Sequence, residues 1–163
     1  MNRINMPRMR DQLVLHEGLH LKSYLCPAGK LTIGVGYNID AHGAPFNMSR
    51  QDLEEKGITK TQAMELLDVQ IQAFANQMDE HLPRWRDHDE IRMRVLLDMA
   101  FNMGVGDTKS GLRSFKNTLA NIQAKNYYAA AEGMEKSKWA REVKSRAVRL
   151  IAMMRTGVDS TDF

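Results

Sequence analysis

An α+β fold, mostly α, is what this chain of 163 residues predicts, and three observations carry that prediction. Strand-like segments are confined to a short region before residue 40. One long helical pattern follows them. Nearly everything after Pro83 repeats apolar residues at spacings of three and four. With 43% hydrophobic residues the chain can bury a core, and its length suits one domain or two small lobes on one chain.

Residues 8–17 read as a helix with Met9, Leu13 and His16 on one face, and Gly18 stands where a C′ glycine ends it. Two strands, Leu19–Cys26 and Leu31–Tyr37, flank Pro27-Ala28-Gly29-Lys30, whose proline and glycine are good turn chemistry. Gly34 and Gly36 would weaken a plain strand and fit a bulge or a close approach by a ligand. Residues 38–48 are loop-like, and Ser49 caps a short helix ending at Gly57. Thr59 and Gln62 form a capping-box pattern. It opens a helix in which Ala63, Leu66, Leu67, Ile71, Phe74 and Met78 recur until Pro83 stops it. That helix is about 30 Å long at 1.5 Å per residue, enough to link two lobes.

Beyond it, Asp87 or Asp89 caps a helix carrying Ile91, Val95, Leu96, Met99, Ala100 and Met103, which ends at Gly104-Val105-Gly106. Phe115, Leu119 and Ile122 mark another helix, Tyr127–Met134 an alanine-rich one, and Val143, Ala147, Leu150, Ile151 and Met154 a last one before Gly157. The tail after Gly157 is expected to be loosely held. The twelve methionines fall mostly on apolar helical faces, as core filler.

Composition excludes several classes. No run approaches the ~20 apolar residues of a membrane helix, and Met1–Asp11 is basic without the apolar stretch of a secretory signal. One cysteine, Cys26, cannot form an internal disulfide, which fits a reducing cytoplasm. There is no metal-ligand spacing among His20, His42, His81 and His88, no P-loop and no dinucleotide fingerprint. The net charge of +3 is uneven. From Lys109 to Arg155, only Glu132, Glu135 and Glu142 oppose a long series of lysines and arginines. Such a surface suits an anionic partner, whether nucleic acid, membrane or wall polymer, or is simply a solvated helical face.

The chemistry gathers around Glu17, Cys26 and Thr32, a Glu-x8-Cys-x5-Thr spacing running from a helix end into a hairpin. A glutamate at a helix C-terminus meets the negative end of the dipole, which favours its protonated or paired form. It is therefore either a surface or salt-bridged residue or a general acid. Glycoside hydrolysis needs such an acid and a second group on the other face of the sugar. Thr32 could orient a water, and Cys26 stands where a second acidic residue is expected. Asp11 and Asp40 are rival second carboxylates, and His16 is read as packing.

Glu17-Gly18, Tyr24, Gly29 and Thr32-Ile33-Gly34-Val35-Gly36 resemble the phage lysozymes of the T-even type, glycoside hydrolase family 24. So do Ile58-Thr59-Lys60 with Ala63, Phe101-Asn102-Met103-Gly104, Ser137-Lys138-Trp139, Arg146-Ala147 and Arg155-Thr156-Gly157. The likeness covers roughly residues 9–157, and the motif is the Cys form of the family's Glu-x8-(Asp or Cys)-x5-Thr pattern. The resemblance implies that Glu17 is the general acid, that Cys26 and Thr32 position or activate water or support a covalent step, and that Gly36, Tyr37, Phe101, Asn102, Gly104 and Thr118 contact the glycan. It makes Arg146 a support for Glu17. Trp139 is read as core. Asn102 stands where glutamine is commoner, and Tyr37 where the best-known relative has histidine.

The resemblance also implies one lysozyme domain over 1–163. Residues 12–60 are then a small α+β lobe bearing the hairpin, 61–82 a connecting helix, and 83–163 a helical lobe onto which 1–11 pack. The expected activity is hydrolysis of the β-1,4 bond between N-acetylmuramic acid and N-acetylglucosamine in peptidoglycan, by a monomer. No cofactor, no metal, no nucleic-acid partner and no stable membrane anchor are expected. The enzyme would stay in the host cytoplasm until a holin-like hole releases it to the wall. Two other classes stay open: a lytic transglycosylase, and a non-catalytic basic module binding wall or nucleic acid.

Overall fold

The computed structural model describes residues 3–163. The described residues form two compact units: Pro7–Gln72, and residues 3–6 together with Ala73–Phe163. The boundary at residues 72 and 73 falls inside one long helix.

In the first unit, α1 (Met6–Glu17) leads into a three-stranded antiparallel sheet in the order β1 (His20–Leu25), β2 (Leu31–Gly34), β3 (Tyr37–Asn38). The second predicted strand is therefore two strands. Gly34 and Gly36 take φ of 66° and 67°, which reverses the chain and pairs Ile33 with Tyr37. The expected loop at 38–48 holds a short helix, α2 (Ile39–His42), because the Asn38 side chain accepts from the Ala41 N–H at its N-terminus. A 3₁₀ turn at Pro45–Asn47 follows, then α3 (Arg50–Glu55), capped by Ser49 as expected. Next comes α4 (Lys60–His81), whose capping box is formed: Thr59 N–H donates to Gln62 Oε1 at 2.9 Å and Gln62 N–H to Thr59 Oγ1 at 3.1 Å.

The core of this unit is Ile33, Ile39, Leu53, Ile58, Ala63 and Leu66, with Leu19, Leu31, Tyr37, Met48 and Met64 packed around it. Each buried aliphatic contributes about 1.5–3 kcal/mol. Two ties fix the surrounding elements. Ile58 N–H donates to Leu21 O at 2.7 Å, and a Cβ at Gly57 would stand 2.3 Å from that same oxygen, so only glycine fits there. Arg10 grips Asp68 with two bonds of 2.7 and 2.8 Å, joining α1 to α4.

The second unit is helical: the end of α4, α5 (Glu90–Met103), α6 (Lys116–Gln123), α7 (Tyr127–Glu135), α8 (Lys138–Val143) and α9 (Ser145–Thr156). Asp89, of the two candidate caps, accepts from Arg92 N–H to start α5. Residues Met93 to Ala100 are all buried, which makes α5 the central helix. The apolar series of the predicted last helix starts two residues too early, at Val143, since α9 begins at Ser145. Lys144 breaks the chain with φ 51° and ψ −111°, leaving Val143 in α8, which Ser137 caps.

The tail is not loose. Arg94, 1% exposed, reaches Asp159 at 2.7 Å, and Arg149 reaches Asp162 at 2.7 Å. The tail's carboxylates are anchors for buried or half-buried guanidinium groups. Among the described residues no helix is long and apolar enough to cross a membrane.

Candidate active site

Glu17 is the last residue of α1 and is half-buried. Gly18 closes the helix by donating its N–H to Val14 O at 2.9 Å with φ 80°, and the chain turns at once into β1.

Cys26 follows β1 directly and is part-exposed. The turn it opens is closed at both ends: Gly29 N–H donates to Cys26 O at 2.8 Å, and Cys26 N–H to Lys30 O at 2.9 Å. Thr32, 5% exposed in β2, donates its hydroxyl to the same Lys30 carbonyl at 2.9 Å. One backbone oxygen therefore holds both Cys26 and Thr32.

The turn also acts on the sulfur. The Cys26 thiol is pushed below its ordinary value, first by the Lys30 backbone N–H, against some desolvation, and then by the Ala28 N–H and the Thr32 hydroxyl. The depression is local, made by the hairpin's own amides rather than by the basic helices. Thr32 has one hydroxyl proton, so donating it to Lys30 O and donating it to the sulfur exclude each other.

Tyr24 lies between Glu17 and Cys26 in the chain. It stands opposite Thr32 in the β1–β2 register, and its ring lies 4.0 Å from that of His20. Its phenol is raised by burial first, then by the charges of Cys26 and of Glu17. In the sequence Tyr24 stands two residues before Cys26, as one member of the motif.

Asp40, a rival carboxylate, is committed elsewhere: Oδ2 accepts the Leu31 N–H at 2.8 Å and Oδ1 pairs with Arg50 Nη1 at 2.9 Å. These bonds hold its carboxyl below the usual range. Gly36 is half-buried in the turn before β3, and Tyr37 packs on the core with its hydroxyl donated to Gly43 O at 3.2 Å.

The remaining expected glycan contacts lie in the second unit. The half-buried Phe101 ring stands 5.3 Å from that of Phe74. Asn102 is exposed, with Oδ1 taking the indole N–H of Trp139 at 2.9 Å. Gly104 ends α5 by donating to Ala100 O at 2.7 Å and accepts from Leu112 N–H at 2.9 Å. Thr118 is buried beside Gly133, where a Cβ would stand 2.6 Å from its Oγ1. Thr118, Gly133, Ser137 and Trp139 help line one groove of about 380 Å³. Trp139 is thus core, as expected, and also orients Asn102.

Arg146 is 7% exposed, and its Nε donates to Asp98 Oδ1 at 2.8 Å inside the second unit. Asp98 went unremarked in the sequence, although a carboxylate amid an apolar run is a signal of a buried pair. Among the described residues no group of three or more His, Cys, Asp or Glu side chains is placed to hold a metal ion.

A helix-end glutamate is thus followed by a hairpin that holds a cysteine and a threonine on one carbonyl, and then by a helical unit. The chain belongs to the phage lysozyme family, whose pattern matches residues 14–153. Its class is therefore that of the glycoside-hydrolase lysozymes. It is similar to Probable T4-type lysozyme 1 of Dictyostelium discoideum, at 26% identity over 91% of this chain and 94% of that protein. It is also similar to Probable T4-type lysozyme 2 of the same organism, at 24% identity over the same shares. A third relative is the Pre-baseplate central spike protein Gp5 of Enterobacteria phage T4, at 29% identity over 91% of this chain and 28% of that protein.

Proposed function

We propose that this protein is an N-acetylmuramidase that hydrolyses the β-1,4 bond between N-acetylmuramic acid and N-acetylglucosamine in peptidoglycan. The observation that supports it best is the joint seating of Cys26 and Thr32 on the Lys30 carbonyl, in a turn whose amides depress the thiol. Glu17 gives its proton to the glycosidic oxygen as the bond to the anomeric carbon breaks. Thr32 orients a water, whose oxygen bonds to that carbon while its proton passes to the Cys26 thiolate. Solvent then returns a proton to Glu17 and takes one from Cys26. A free thiol near ~8.5 would be mostly protonated at neutral pH; the lowered value enlarges the fraction able to act as base. Phe101, Asn102 and Thr118 contribute sugar contacts, and the cations of the second unit suit an anionic wall.

The test is clearance of outer-membrane-stripped Gram-negative walls by wild type, Glu17→Gln and Cys26→Ser, with the products weighed. Clearance that vanishes in Glu17→Gln, with products carrying one added water per cut, is the expected result. Anhydro products would make it a transglycosylase instead, and tight wall binding without clearance a non-catalytic module. The same reading has the enzyme act in host lysis, reaching the wall from the cytoplasm through a hole made by another protein. Export from cells with intact membranes would contradict that route.

A further inference from the structure

We infer that Asp40 is a positioning residue for the Cys26–Thr32 pair: its carboxylate holds the one peptide group on whose carbonyl both residues are seated. This rests on the hydrolase reading above. The group is the Lys30–Leu31 peptide. Its oxygen accepts the Cys26 N–H at 2.9 Å and the Thr32 hydroxyl at 2.9 Å. Its N–H donates to Asp40 Oδ2 at 2.8 Å. A trans peptide points these two groups in opposite directions, so Asp40 grips the side of the peptide that faces away from the pair.

The sheet register places Asp40 there. Thr32 pairs with Asn38 and Ile33 with Tyr37, so continuing the ladder puts residue 40 opposite residue 30. β3 stops at Asn38, and the chain turns into α2. The Leu31 N–H is left without a strand to bond to, and the Asp40 side chain takes the place of the missing strand. Arg50, at the start of α3, fixes the other carboxylate oxygen at 2.9 Å. That ion pair is exposed and contributes little alone; what matters is the single orientation it leaves to Oδ2. An anionic acceptor on the N–H polarises the peptide and strengthens its carbonyl as an acceptor on the other side. The Thr32 hydroxyl is then drawn to Lys30 O and its lone pairs are left for a water. The Lys30 N–H, on the β1 side with its own carbonyl, stays aimed at the sulfur.

Cys26 is the chain's single cysteine, so alkylation reports this site without background and without turnover. The experiment measures the pH dependence of iodoacetamide alkylation, kcat and KM on soluble peptidoglycan, and thermal midpoint, for wild type, Asp40→Ala, Asp40→Asn and Arg50→Met. In Asp40→Ala the alkylation profile should be displaced from that of wild type and kcat should fall about tenfold with KM little changed. Asp40→Asn, which keeps an oxygen for the Leu31 N–H, should recover most of both, and Arg50→Met should fall between. An Asp40→Ala protein that is folded and alkylates with the wild-type profile overturns the inference. So does a shifted profile with kcat unchanged. If Cys26→Ser keeps full activity, the hydrolase reading of Cys26 has failed and the catalytic part of this inference with it; the alkylation profile still shows separately whether Asp40 sets the pair.

Discussion

The indole N–H of Trp139 points at Oδ1 of Asn102 from 2.9 Å away, and fixes which face of an exposed amide is presented to solvent. Trp139 is itself 6% exposed and edge-on to Phe115, with ring centroids 6.1 Å apart. A rigid core side chain thus decides the orientation of a surface one. With the oxygen occupied, the Asn102 amide offers its two N–H donors outward, which suits a sugar's hydroxyl and acetamido oxygens.

Trp139→Phe keeps an aromatic ring, smaller than the indole, and deletes the donor. The expected outcome is a KM about 3- to 10-fold higher on peptidoglycan with kcat little changed, since the free amide must be oriented at each binding event. Steady-state kinetics on soluble glycan strands check this. An unchanged KM would mean that Asn102 does not meet the sugar.

The pH profile should report the thiol. If Cys26 acts as the base, activity requires the deprotonated form, and a lowered thiol value gives more of that form at any given pH. The acid limb of kcat should therefore lie below the ordinary thiol value of about 8.5. In Cys26→Asp the limb should move toward the ordinary carboxylate value of about 3.9. Cys26→Ser should lose about 10²–10⁴ in kcat and lose the limb altogether. Superimposable profiles for wild type and Cys26→Asp would remove Cys26 from proton transfer.

His88 predicts a pH dependence of stability. It is 4% exposed, its Nδ1 lies 2.8 Å from the Tyr127 hydroxyl, and burial pushes its value below the ordinary one, against the opposing pull of Asp87 and Asp89. A depressed folded value means that the unfolded chain binds the proton more readily. The stabilising contribution is therefore whole above about pH 6.5 and is lost as pH falls from there through the folded value. Urea midpoints between pH 7 and pH 5 should fall in wild type and fall less in His88→Gln. Equal slopes would show that His88 titrates alike in both states.

Much of this was legible in the sequence because the deciding signals were local. The capping box at Thr59 and Gln62, the cap at Ser49 and the glycine ending α1 each involve residues within a turn of one another. The seating of Cys26 and Thr32 on one carbonyl follows from a single hairpin that carries both residues. What escaped was non-local or depended on backbone sign. The split of β2 from β3 needed two left-handed glycines rather than one bulge. The anchoring of the tail needed Arg94 and Arg149 to find Asp159 and Asp162 across the unit. The placement of Tyr24 opposite Thr32 and of Asp40 on the Leu31 N–H depends on strand register, which fixes which side chains share a face.

Asp98 and Arg146 carry the last prediction. Asp98 is 0% exposed and Arg146 is 7% exposed, and they meet at 2.8 Å between α5 and α9. A buried pair is weak evidence of net stabilisation, because removing two ions from water offsets most of their attraction. Breaking it from one side is different, since the remaining charge is left in the interior. Asp98→Leu or Arg146→Met alone should each lower unfolding stability by about 3–5 kcal/mol. The double variant should recover a large part of that loss, because neither charge remains to be buried. Chemical denaturation of the four proteins closes the cycle. If the two single losses simply add in the double variant, the two side chains act independently and the ion pair is not what holds α9 against α5.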